Sequence, residues 1–121
     1  MTYYEFEHIA IRFAKYMLSK YGYSIDKAIV TNYNSIYNTE ASVGIIDKKH
    51  RFCGWLAIDF FTDTTDRCEI SRISLDIVLR RNLNIDGIFD DVECELSNLL
   101  ENFGHPLAYE EILIKMDLLE I

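Results

Sequence analysis

A chain of 121 residues with 50% hydrophobic and 13% aromatic side chains has enough apolar material for one packed core. One Pro and five Gly exclude a disordered composition, and the apolar runs are too short to span a bilayer. A formal net charge of −8 excludes an ordinary nucleic-acid binder, which needs a basic stripe.

The N-terminus, Met1 to Glu7, is polar and aromatic. It has neither a basic n-region nor an apolar h-region, so no signal peptide and a cytoplasmic location are expected. Residues 2–21 read as a helix. Thr2 with Glu5 three positions on forms a capping box, and Phe6, Ile9, Ala10, Phe13, Met17 and Tyr21 recur at helical spacing. Gly22 stands where a left-handed residue would stop that helix.

Residues 27–33 are β-branched enough for a strand, and a polar, Asn-rich loop follows. Glu40 to Ile46 reads as a second strand, ended by a turn at Asp47-Lys48-Lys49-His50. Residues 51–61 carry the strongest strand signal. Alternation puts Phe52, Leu56, Ile58 and Phe60 on one face and Cys53, Trp55, Ala57 and Phe61 on the other. A turn over TDTTDR leads to residues 69–79, with Ile73, Leu75, Ile77 and Leu79 inward and Arg72, Ser74 and Asp76 outward.

Residues 86–103 form a second helix pattern, with Asp86 as N-cap and Gly104 as stop. Residues 107–119 fit a short helix, while EILIKM within them fits an edge strand equally well. The expected architecture is a single α+β domain over residues 1–121. It comprises an N-terminal helix, a three- to four-stranded antiparallel meander, an acidic amphipathic helix and a short C-terminal element.

Charge is segregated along the chain. From Asn82 to Ile114 there is no Lys or Arg, and this stretch holds Asp86, Asp90, Asp91, Glu93, Glu95, Glu101, Glu110 and Glu111. The remainder carries twelve acids and twelve Lys or Arg, so the whole net charge belongs to this segment. Acids in the first turn of a helix suit its dipole, but Glu101 near the end gains nothing from it. No basic residue supplies an i,i+4 partner within the segment. A one-signed face of this kind is either a solvated surface or a docking surface for a cationic partner.

Other candidates are weaker. Tyr33 and Tyr37 sit among asparagines, a pairing found in recognition loops and equally in polar loops that pack back on the fold. Trp55 falls on the sheet face away from the helices, where the terminal segment is expected to cover it and an exposed anchor is the alternative. Asp59, Asp63 and Asp66 lack the spacing of a calcium loop and read as hairpin residues. His50 and Cys53 lack two further zinc ligands. No phosphate loop or nucleophile–base motif is present in sequence. The chain therefore calls for no cofactor, no metal and no catalytic residues. Cys53, Cys68 and Cys94 are odd in number and form no CxxC, so free, buried thiols in a reducing compartment are expected.

In size, acidity, α+β layout and the acid-only segment Asp86–Glu111, the chain resembles the immunity proteins of bacterial toxin systems, above all the contact-dependent growth inhibition immunity family. The resemblance implies a cytoplasmic protein that binds a basic toxin domain, often a nuclease, and blocks it without catalysis. The contacts would be the acids of residues 86–111, with Tyr33, Tyr37, Asp63 and Asp66 at the rim. The alternatives are an acidic secretion chaperone that binds an effector segment, a phage-type nucleic-acid mimic, and an enzyme with a site assembled from distant residues. The chaperone order places a helix after the third strand, whereas residues 69–79 follow directly here.

Overall fold

A computed structural model describes residues 1–33, 38–77, 94–95 and 97–120. It has the expected α+β layout. Helix α1 (Tyr3–Leu18) is followed by a 3-10 turn (Ser19–Tyr21) and strands β1 (Ser24–Thr31), β2 (Asn38–Ile46), β3 (Phe52–Thr62) and β4 (Cys68–Ile77). Residues 94–95 and 97–103 are helical and are termed α2, and α3 spans Tyr109–Leu119. No described helix is long and apolar enough to cross a membrane.

Helix α1 starts as its sequence demands. The Thr2 hydroxyl accepts from the Glu5 amide at 3.2 Å, and the Glu5 carboxylate accepts from the Thr2 amide at 2.8 Å. The stop is also as read: Gly22 has φ 84°, a left-handed conformation that costs a residue with a Cβ about 1–2 kcal/mol. The buried stripe gains Ala14 and Leu18, whereas Tyr21 is only half-buried.

The sheet is an antiparallel meander in the order β1-β2-β3-β4. Strand β1 begins three residues earlier than its β-branched run suggests. Ser24 and Ile25 pair with Ile46 and Ile45, and an irregularity at Asp26 and Lys27 then resets the register. Asn32, with φ 56°, stands just beyond the strand's end. The β2–β3 and β3–β4 turns share one design. Asp47 and Asp63 each open a three-residue loop, and the residue before the closing Arg has φ 61° (His50 and Asp66). Each opening carboxylate accepts two later amides: Lys49 and Arg51 for Asp47, Thr65 and Arg67 for Asp63.

One face of the sheet is packed by the helices. Phe6, Ile9, Phe13 and Met17 of α1 meet Val43, Leu56, Ile58 and Phe60 in one buried cluster. The Phe6 and Phe60 rings lie 5.1 Å apart, and Phe13 meets Phe103 of α2 edge-on at 4.9 Å. Ile112 and Met116 of α3 join the same cluster. The terminal segment takes the helical form: EILIKM lies wholly inside α3, so the edge-strand alternative fails, and among the described residues of this segment only Leu107 before it pairs with the sheet. Leu107 bridges to Cys68 through two 2.9 Å backbone hydrogen bonds, and the helix follows from Tyr109. The α2 helix ends at Phe103, where a Cβ on Gly104 would lie 2.4 Å from the Leu100 carbonyl oxygen. The expected start of that helix, Asp86, lies outside the described residues.

Simple alternation fails at two places. Between β2 and β3 the pairing steps from Ile45–Gly54 to Ile46–Phe52, leaving Cys53 as an extra residue. This bulge turns Cys53 into the core, where its thiol lies 3.4 Å from the Ile45 carbonyl oxygen. Phe52, expected inward, is instead 44% exposed and packs against Trp55 on the opposite face. A second step between Asp59–Arg72 and Phe60–Ile70 makes Ser71 the extra residue and keeps both Ile70 and Ile73 inward.

Candidate functional site

The open face of the sheet gathers more binding character than any other surface among the described residues. Its rows follow from the register. Ile29, Ser42, Ala57 and Ser74 form one row, and Gly44, Trp55 and Asp76 the next. Small side chains in the first row and a glycine in the second leave a low floor. A Cβ on Gly44 would stand 3.2 Å from the Asp26 side chain and 3.6 Å from both Phe52 and Trp55. The tight approach is that of Asp26, while a Cβ would sit in ordinary contact with both aromatic rings, which lie 5.2 Å apart and are inclined at 66°. A shallow depression of about 400 Å³ results, lined by Ile29, Ser42, Trp55, Ala57, Ser74 and Asp76.

Trp55 is thus half-buried by its neighbours in the sheet rather than covered by the terminal segment, which packs beside α1 on the other side. Sequence alternation placed Trp55 correctly but assigned the wrong cover. It missed Phe52, and only the bulge at Cys53 explains that residue's position.

Carboxylates edge this face. Asp26 lies beside the aromatic pair, Asp76 stands opposite Trp55, Glu40 and Asp59 are cross-strand neighbours, and Glu69 pairs with Phe61. None of these five acids makes an ion pair among the described residues. Among the described residues, Lys27 and Arg72, the latter directly opposite Asp59, are the basic residues nearest to them in register, against five acids.

The acids of the segment lacking Lys and Arg behave differently. Asp86, Asp90, Asp91 and Glu93 lie outside the described residues, as does Tyr37. Glu95 on α2 is bridged by Lys20 at 2.9 Å, and this carboxylate raises the Lys20 pKa. Glu111 on α3 lies 3.8 Å from Arg67 and also accepts the Ala108 amide at 3.3 Å. Glu101 and Glu110 are exposed and make no ion pair among the described residues. Further along α3, Arg12 divides its guanidinium between Asp117 at 2.9 Å and Glu120 at 2.8 Å, which raises its own pKa. Cations from the N-terminal two-thirds therefore fold over much of the described helical ridge.

The rim residues have structural occupations. Tyr33 is 40% exposed but leans edge-on against Tyr3 at 5.9 Å and Phe6 at 6.3 Å. Asp66 bonds the N-terminal ammonium of Met1. Asp63 accepts the Thr65 hydroxyl at 2.7 Å as well as the turn amides, and these bonds hold its pKa below the usual carboxylate range. The structure thus brings Tyr33, Asp66 and Glu111 to the N-terminal end of α1 and leaves Glu101 elsewhere.

Among the described residues no group of three or more His, Cys, Asp or Glu is arranged to hold a metal ion. Cys53 and Cys68 are buried, and burial pushes the Cys68 thiol up to about 12. Cys94, expected inside, is exposed, because it falls on the solvent side of α2 while Leu99 and Phe103 face the core. Comparison of the chain with protein-family models, curated proteins and solved structures gave no match.

Proposed function

We propose that this protein is a stoichiometric inhibitor that docks on a cationic protein, a toxin domain of the nuclease kind, and blocks it without catalysis. The observation that carries the reading is the open sheet face, which joins an aromatic pair to a rim of carboxylates that make no ion pair among the described residues. Aromatic anchors supply the desolvated centre that dominates binding energy, and a surrounding charge of one sign selects the partner and speeds encounter. The net charge of −8 supplies the long-range field, to which Asp86, Asp90, Asp91, Glu93, Glu101 and Glu110 contribute. The short-range contact belongs to Phe52, Trp55 and the acids beside them.

Growth rescue tests the proposal. The reading frame adjoining this protein's own is expressed, whole and as its C-terminal third, with or without this protein. Relief of toxicity, together with a one-to-one complex of the purified proteins, supports the reading. A neighbouring product that is harmless, or a toxicity that this protein does not relieve, overturns it.

A further inference from the structure

The depression on the open face has a chemistry more specific than a general preference for cations. The Trp55 ring and the Asp76 carboxylate are direct cross-strand partners and line the depression side by side in one row. The floor is Ser42, Ala57 and Ser74, with Ile29 at the edge. Phe52 meets Trp55 edge-to-face and so supports its indole from outside the depression. Asp76 is exposed and makes no ion pair among the described residues. A partner side chain entering here would lay an apolar stem against Ile29 and Ala57, a flat cation on the indole and a charge against the carboxylate.

We infer that this depression is an arginine-accepting subsite for the cationic protein partner, an inference that rests on the docking function proposed above. Arginine fits where lysine does less well. Its guanidinium is planar, so it stacks on an aromatic face and offers a two-pronged set of donors to one carboxylate. An ammonium is a compact, strongly hydrated point charge that gains less from both groups. The volume of about 400 Å³ lies at the small end of ligand-sized clefts and suits one long side chain with its flanking backbone. The occupant is a protein side chain rather than a free metabolite, because the depression is open and shallow and therefore buries little of a small molecule.

Trp55 is the sole tryptophan, so its fluorescence reads this surface directly. The probes are the capped tripeptide Gly-Arg-Gly and its citrulline and lysine counterparts. Expected is a saturable change with arginine at roughly millimolar Kd, the range for so few contacts. Citrulline, isosteric and neutral, should bind at least about tenfold more weakly, with lysine between them. Asp76→Asn should weaken the arginine response about fivefold or more, and Glu7→Gln on α1 should leave it unchanged. Equal responses to arginine and citrulline, no response at all, or indifference to Asp76→Asn overturns the subsite. So does a dimer in solution that buries Trp55, read by light scattering and fluorescence quenching.

The growth-rescue assay separates this inference from the function beneath it. Rescue by the wild type that fails with Asp76→Asn and Trp55→Ala, while Trp55→Phe retains it, supports both. Rescue by all of these variants overturns the subsite and leaves the docking function standing. Absence of rescue by the wild type overturns the docking function itself. Denaturation midpoints of the variants confirm that each is folded.

Discussion

The helical layer and the open sheet face are both acidic, yet they handle their charge in opposite ways. On the helical layer, Glu95, Glu111, Asp117 and Glu120 meet Lys20, Arg67 and Arg12. On the sheet face, Asp26, Glu40, Asp59, Glu69 and Asp76 meet no cation in an ion pair among the described residues. The apolar groups divide the same way. Helical Phe13, Phe103 and Met116 are buried, while Ile29 and Phe52 across the sheet are 43% and 44% exposed. Linear charge density points to the C-terminal third, but a free surface depends on which charges the fold has already paired. Exposed pairs of this kind contribute little to stability, about 0–1 kcal/mol each. Their larger consequence is to leave less of the helical ridge available to a partner.

The strongest way to break this comparison is to delete one aromatic from each face. Phe60→Ala should destabilise by about 3–5 kcal/mol, because it empties a fully buried site between α1 and the sheet. Trp55→Ala should cost less than about half of that, as its ring is only partly covered. Urea denaturation measures both, and equal losses would mean that the two faces are equally covered.

Charge reversal sharpens the contrast at the level of binding. Asp59→Lys with Asp76→Lys should slow association with the cationic partner by about tenfold or more at low salt. Glu95→Lys with Glu111→Lys should slow it less, since those carboxylates already hold intramolecular partners. Stopped-flow rates across a salt series report the difference. A larger effect from the helical pair would move the docking surface to the ridge.

Thiol chemistry offers a probe of burial. One thiol per chain, that of Cys94, should react rapidly with a disulfide reagent in the native state. Cys53 and Cys68 should react only on unfolding, because both thiols are buried in the native fold. Cys94→Ser abolishing the fast phase is the check.

The acid response should come from the hairpin turns. Bonds from the Arg51 amide, then from Lys49 and the Arg51 side chain, hold the Asp47 carboxyl below its usual range, and Asp63 is lowered by its Thr65 and Arg67 contacts. A depressed folded pKa gives stability that is present above the unfolded value of about 3.9 and is lost as pH falls through the folded value. Asp47→Asn and Asp63→Asn should each flatten the decline of the urea midpoint below about pH 4. An unchanged slope would remove the turns from the acid response.

The smallest expected effect is a control that touches neither layer. His50 holds a left-handed φ of 61°, which costs a non-glycine residue about 1 kcal/mol. His50→Gly should therefore change stability by no more than about 1 kcal/mol, in the stabilising direction, and leave partner association unaltered. A slower association would draw the turn into the contact.

Much of this fold was legible because its local signals agree. The Thr2–Glu5 box, the stop at Gly22, the inward Leu56-Ile58-Phe60 alternation and the two Asp-led turns each rest on neighbours in sequence. The site was harder to read. Trp55 could be placed on the far face by counting, but Phe52 could not, because one extra residue at Cys53 inverts every parity assignment before it. The five sheet-face acids were dispersed along the chain as ordinary outward positions, with no local density to mark them.

By itself the sequence determined the helix-and-meander order, the net charge and the alternating strands, since these follow from local propensity, periodicity and composition. Only the tertiary structure decided which carboxylates are neutralised, which aromatic pair stands in the open and which cysteine is accessible. Those outcomes depend on contacts between distant residues such as Lys20 with Glu95 and Arg67 with Glu111, and on a single bulge that shifts a strand's register.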